Sequence, residues 1–318
     1  MAPAANPASP PGAPPNRKNP FQDPEAMAAM GLERTKNKTG FMYLRIGESA
    51  THWLNSLPHS SSPLLDLGAA YGVHTLHAMK AGRDVIAVDM EQAHIDDLRV
   101  RADDYAKSVV VQDNTGPGKL VRATVATLPD PSVCAEESVA GVLLSEVIHF
   151  MRPGQPQVVF SDIFRWLEPG GRLVVTTAAS QGPKVAEFVN KAGFKLNGER
   201  NVEEAIDMIS TASGPELVKA APTFLELPQD SPMRKFVCGV LYLMSTKEVE
   251  TMAKEAGFKV ERCRYVTTGK YPDKTIKGET VLLVAKKPDP AKRDRNIRTA
   301  AAVAVAAASS LAVYHLAR

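Results

Sequence analysis

Short apolar runs separated by amphipathic stretches begin near residue 40 and continue to about residue 287. The runs Leu64-Leu65-Asp66-Leu67 and Asp84-Val85-Ile86-Ala87-Val88-Asp89 lack the polar alternation of a half-exposed strand, which predicts strands covered on both faces. After the first, Val73, Leu76 and Met79 recur at helical spacing; after the second, Ile95, Leu98 and Ala102 do the same. Residues 120–125 predict a third strand and residues 139–145 a fourth. A helix containing Val158, Ile163 and Trp166 then ends before Pro169-Gly170-Gly171, and residues 172–177 predict a fifth strand. Strands and helices in alternation predict an α/β fold in which helices cover a doubly wound parallel sheet.

Residues 180–245 interrupt this pattern with helical pieces and several prolines, a stretch too long for an ordinary loop, and predict a helical cap or lid over a pocket. Beyond it, residues 247–256 predict a helix closed by Gly257. Strands are expected over 259–266 and 279–285, close enough together to pair antiparallel. Residues 1–35 contain eight prolines among Ala, Asn and Ser and are expected to form a disordered leader. The folded domain is expected over 36–288, with 289–318 as a basic linker and an Ala- and Val-rich tail.

Composition narrows this picture. With 44% hydrophobic and 23% charged residues in 318, the chain falls in the globular range, and its net charge of +3 offers no basic face for nucleic acid. Cys134, Cys238 and Cys263 are far apart, matching neither a disulfide framework nor a zinc site, so a reducing compartment and no metal are expected. The N-terminus lacks the basic and apolar regions of a secretory signal. Residues 299–317 carry no formal charge and follow Lys292, Arg293, Arg295 and Arg298. As a helix they would reach about 28 Å, against roughly 30 Å of hydrocarbon. A membrane tail anchor is the expectation, and an Ala-rich helix packed on the domain or on a partner is the competing one.

The segment Asp66-Leu67-Gly68-Ala69-Ala70-Tyr71-Gly72 links the first strand to its helix, where a doubly wound sheet offers backbone amides and a helix N-terminus to a ligand. A dinucleotide site would place G-x-G-x-x-G and a pyrophosphate here. The glycines of this turn stand four apart, and a carboxylate beside two phosphates is unfavourable. S-adenosylmethionine has an ammonium and a sulfonium and no phosphate, so Asp66 suits it. Asp89, about twenty residues beyond the turn, stands where a carboxylate can accept both hydrogen bonds from a ribose diol. It can also be read as a helix N-cap.

These residues resemble the class I S-adenosylmethionine-dependent methyltransferases, particularly their small-molecule group. So do Leu143-Leu144-Ser145-Glu146-Val147-Ile148-His149-Phe150, Leu167-Glu168-Pro169-Gly170-Gly171-Arg172-Leu173 and Val281-Leu282-Leu283-Val284-Ala285-Lys286-Lys287. The resemblance covers residues 60–180 and 245–287 and implies a Rossmann-like seven-stranded sheet with a reversed last strand. It implies an enzyme that uses S-adenosyl-L-methionine to methylate a small-molecule acceptor. The implied cofactor-binding residues are Asp66, Gly68, Ala69, Tyr71, Gly72, Asp89, Met90, Thr124, Val125 and Ser145. Ala70 stands where a middle glycine is frequent, and Thr124 where the family has an acid.

His149 follows the fourth strand and is a candidate general base, with a packed helix residue as the competing reading. His74, His77 and His94 are expected at solvated helix positions. Tyr43, Tyr71, Phe224, Phe236 and Tyr242 are candidates to line an acceptor pocket, or else ordinary core residues. Two other functions fit less well. One is a non-catalytic binding or scaffolding protein on the same fold; the other is a nicotinamide-dependent oxidoreductase, which Asp66 and the reversed final hairpin disfavour.

Overall fold

A computed structural model of the chain describes residues 24–29, 31–35, 41–43, 46–108, 117–152, 154–179, 195–196, 224–226, 240–267 and 280–291. In chain order the elements are α1 (Pro24–Ala29), β1 (Leu32–Arg34), β2 (Phe41–Tyr43), α2 (Glu48–Leu54), β3 (Leu64–Leu67), α3 (Val73–Lys80), β4 (Val85–Asp89), α4 (Gln92–Ser108) and β5 (Leu120–Val125). They continue with β6 (Val139–Ser145), α5 (Gln155–Trp166), β7 (Leu167–Ala178), β8 (Lys195–Leu196), β9 (Phe224–Glu226), β10 (Val240–Tyr242), α6 (Thr246–Glu255), β11 (Lys259–Val266) and β12 (Thr280–Lys286).

Seven strands form one sheet in the order β11-β12-β7-β6-β3-β4-β5. From β7 through β6, β3 and β4 to β5 the neighbours are parallel. β12 enters antiparallel between β7 and β11. The chain order reverses between β3 and β6, and the crevice at such a reversal is where open α/β sheets bind ligands.

The apolar runs of β3, β4 and β6 reflect burial on both faces. Leu64, Val85, Ala140 and Leu143 pack with Trp53 of α2, Ala78 and Met79 of α3 and Ala102 of α4. The alternate residues Leu65, Leu67, Ile86, Val88, Val142 and Leu144 face Val159, Phe160, Ile163 and Trp166 of α5 and Val249, Met252 and Ala253 of α6. Val158 lies in α5 as expected and is 49% exposed. The Ser245–Glu248 capping box starts α6, and Gly257 at φ 97° ends it.

α5 ends before Pro169-Gly170-Gly171 as expected, and β7 includes 172–177 but begins earlier, at Leu167, with the register against β6 slipping between Val139 and Gly141. The end of the proline-rich leader is ordered among its described residues, with α1 burying Met27 and β1 pairing with β2. Residues 1–23 lie outside the described residues. Within 180–245 the described elements are β8, β9 and β10, which form an antiparallel sheet, as suits Phe224 and Val240-Leu241-Tyr242, while the helical pieces expected of this segment fall on residues outside the described ones. The rest of that segment, with Phe236 and Cys238, lies outside the described residues.

The insertion's two ends meet at one point. Ala179 bridges to Met244, and the Met244 amide donates to Ala178 O at 3.0 Å. No helix among the described residues is long and apolar enough to cross a membrane, and residues 299–317 lie outside them.

Candidate functional site

The turn after β3 needs backbone that only small residues adopt easily. Gly68 and Gly72 have φ of 76° and 79°, and Ala70 follows at 45°. A Cβ on Gly68 would come within 2.2 Å of Val147 Cγ2, and one on Gly72 within 2.7 Å of Leu98 Cγ. The space that these glycines leave is therefore filled by the protein's own side chains. Ala69 is buried beside them.

The amides of the turn are engaged as well. Gly68 and Ala69 donate to Val88 O at 2.8 and 3.0 Å, and Ala70 donates to Asp89 Oδ2 at 2.9 Å. Where the sequence led us to expect these amides to face a ligand, they bind the turn to the end of β4 instead.

Asp66, the last polar position of β3, is buried, with Thr75 Oγ1 donating to its Oδ2 at 2.7 Å. Burial pushes its carboxyl up to about 7; the Thr75 hydrogen bonds oppose this and the Asp89 charge adds to it. Because Gly72 caps α3 without a side chain, the bond from Thr75 makes Asp66 the acid at that helix N-terminus.

Asp89 ends β4 and is the most heavily engaged group of the site. Its Oδ1 accepts from the Glu91 amide at 3.0 Å and lies 3.0 Å from His94 Nδ1, while Oδ2 takes the Ala70 amide. A carboxylate offers about four lone-pair positions. One therefore remains on Oδ2, room for one ribose hydroxyl where two had been expected.

Beside Asp89, Met90 and Val125 are 43% and 41% exposed, large apolar side chains presented to solvent at the ends of adjacent strands. Val125 is the cross-strand partner of Asp89, and half-buried Thr124 is that of Val88. An apolar pair next to a carboxylate suits a nucleoside, whose base is flat and apolar-faced and whose sugar carries hydroxyls.

Tyr71, a candidate for both cofactor and acceptor contacts, has no exposed surface. Its ring meets His94 edge-on at 5.0 Å between centroids, and the Arg101 guanidinium lies 5.1 Å from it. His94 is likewise buried rather than solvated, a pairing that helical periodicity cannot reveal because its partner sits on the preceding strand. His74 is also drawn from water: burial, with His77 adding to it, pushes it down to about 4.

A second group gathers at the ends of β6 and β7. The Ser145 and Thr176 hydroxyls are 2.9 Å apart. Glu146 turns the chain at φ 58°, a conformation costly for a non-glycine residue. His149 is buried, with Thr177 Oγ1 at 3.2 Å from Nδ1 and the Ala178 amide donating to the same nitrogen at 3.4 Å. With Nδ1 accepting from the Ala178 amide, the proton would sit on Nε2 and the ring would present a donor there. Buried Tyr242 lies on β10, which packs beside the turn Ile148–Phe150; burial, with Glu248 adding to it, raises its phenol. Tyr43 and Phe224 fall on β2 and β9. Among the described residues no cluster of three or more His, Cys, Asp or Glu side chains could hold a metal ion.

Residues 65–175 match the family described as "Methyltransferase domain". Among curated proteins, the chain is similar to the carboxy-S-adenosyl-L-methionine synthase of Photobacterium profundum. The two are 29% identical over 123 residues, 37% of this chain and 44% of the synthase. The synthase of the same name from Klebsiella pneumoniae is 27% identical over 120 residues, 36% and 43% of the two chains. The match thus spans less than half of either synthase. Among solved structures, a SAM-dependent methyltransferase from Methanosarcina mazei aligns with TM-score 0.52 and 15% identity over 77% of this chain and 100% of that one, a likeness of fold. Residues 65–175 therefore match a methyltransferase domain, and the seven-stranded sheet that carries them, with its reversed β12, shares its fold with the SAM-dependent methyltransferase from Methanosarcina mazei.

Proposed function

We propose that the protein binds S-adenosyl-L-methionine at the ends of β3, β4 and β5 and transfers its methyl group to a small-molecule acceptor held at the ends of β6 and β7. The observation that carries this reading is Asp89. It is locked at the end of β4 by the amides of Ala70 and Glu91, with exposed Met90 and Val125 beside it. Asp89 would hold a ribose hydroxyl through its free position on Oδ2, while Met90 and Val125 would flank the adenine, with Thr124 near them. Asp66, raised to about 7 by burial, would be drawn to its ionised form by the positive charge of a bound methionine end and would then supply negative potential beneath it. The names of the two synthases likewise contain S-adenosyl-L-methionine.

When bound, the cofactor supplies an electrophilic methyl on a sulfonium, so the protein's task is alignment and exclusion of water. A nucleophile that is already competent needs no base, which is compatible with His149 being oriented as a donor. The insertion that leaves and rejoins the sheet at Ala179 and Met244 supports an enclosed, small acceptor.

The test is transfer of labelled methyl from S-adenosylmethionine into an extract of the source cells, separated into organic-soluble, aqueous and protein fractions. Label in a small-molecule fraction that disappears with Asp89→Ala is the expected result. Cofactor binding without any enzyme-dependent label would favour a non-catalytic module. Label confined to the protein fraction would contradict the small acceptor.

We also propose that residues 289–318 attach the protein to a membrane surface, on the strength of the uncharged run 299–317 and its basic flank. Deleting them should move the protein from the membrane to the soluble fraction; an unchanged distribution would contradict the anchor.

A further inference from the structure

We infer that His94 is a positioning residue for cofactor recognition: by occupying Asp89 Oδ1 it confines ribose recognition to Oδ2 and thus to a single hydroxyl. The inference rests on the reading of Asp89 as the ribose-binding acid. A carboxylate has no proton to give, so in the 3.0 Å contact Nδ1–H of His94 donates to Oδ1. The Glu91 amide fills the other position on that oxygen, and Ala70 takes one on Oδ2.

Holding the turn into α4 does not account for the histidine, because the Glu91 amide just ahead of Gln92 already donates to Asp89 Oδ1. His94 is 6% exposed, and its Nε2 is buried with no hydrogen-bond partner among the described residues. A buried ring nitrogen without a partner is unfavourable, and an apolar side chain of similar size in the same space would avoid it. What the histidine adds is the bond from Nδ1. The ring has little freedom to leave: Tyr71 meets it edge-on, and Arg101 closes over Tyr71 while pairing with Asp97 at 2.8 Å and Glu33 at 3.5 Å.

The geometry specifies which replacement can stand in. The side-chain amide of asparagine reaches about as far as Nδ1, whereas methionine matches the bulk of histidine and donates nothing. The test titrates S-adenosylhomocysteine and its 2′-deoxy and 3′-deoxy analogues into the full chain, wild type, His94→Met, His94→Asn and Asp89→Ala, with the thermal midpoint of each variant as the folding control. In the wild type, removing one of the two hydroxyls should weaken binding about tenfold and removing the other should change it little. His94→Met should reduce that selective penalty to about threefold or less, and His94→Asn should restore it.

Equal penalties for the two hydroxyls in the wild type would overturn the inference. So would an undiminished penalty in His94→Met, or a His94→Asn protein that behaves like His94→Met. If Asp89→Ala binds S-adenosylhomocysteine as the wild type does, the ribose reading itself fails and takes the inference with it. If Asp89→Ala weakens binding while His94→Met leaves the hydroxyl selectivity intact, the inference alone fails.

Discussion

Gly68 carries two demands at once, a φ of 76° and a van der Waals contact with Val147 that leaves no room for a methyl group. Gly68→Ala combines left-handed strain with overpacking and should cost about 2–4 kcal/mol, read from the urea midpoint. A variant as stable as the wild type would show that β6 can yield at this point. Asp66 makes a second prediction, in pH. Its carboxyl is held protonated in the folded protein up to about 7, but ionises near 3.8 when unfolded. Between those values the folded state binds more protons, so the contribution of Asp66 is full at low pH and is lost as pH rises towards 7. Asparagine has the same shape and does not ionise, so the thermal midpoint of Asp66→Asn should gain on the wild type from about pH 4 to about pH 7 and change little above that. A difference independent of pH would mean that Asp66 titrates normally. In the sequence, both residues were legible as members of one turn. Their detailed roles were not, because Val147 and Thr75 are neighbours in space that no local pattern specifies.

β3 and β6, buried along their length, fall where the apolar runs predict; the largely exposed edge strands β5 and β11 do so as well, and α6 is displaced by one residue. Continuous apolar runs leave little ambiguity when helices cover the sheet on either side. The misses have local causes. α2 is only seven residues long, and what holds it is Trp53, fully buried with Nε1 donating to Gly141 O at 3.2 Å, a contact 88 positions away. β8, β9 and β10 are two or three residues each, too short for any period to show. α6 starts one residue ahead of the expected 247, at a capping box closed by Ser245 and Glu248. Ser245→Ala should therefore destabilise the protein by about 1 kcal/mol in denaturant unfolding. An unchanged midpoint would show that packing of Val249, Met252 and Ala253 fixes the helix start unaided.

At the scale of the whole molecule, the reversed β12 separates this fold from a dinucleotide-binding sheet; its antiparallel pairing to β11 was expected from the short span between the last two strands, and it also pairs antiparallel with β7. The sheet's order also explains why two groups of side chains form rather than one. Asp66, Asp89, Met90 and Val125 belong to the ends of β3, β4 and β5, whereas Ser145, Glu146, His149 and Thr177 belong to β6, β7 and the turn after β6. The chain reverses its direction of travel across the sheet between these groups, and on the proposed function they would be the separate walls on which cofactor and acceptor bind. The account stands or falls on the first wall. Calorimetric titration of S-adenosylmethionine into the wild-type chain and into Asp89→Ala tests it most directly. Saturable one-site binding by the wild type, weakened about tenfold or more in the variant, is the predicted result. No binding to a folded wild-type chain, or equal binding by both proteins, would contradict it.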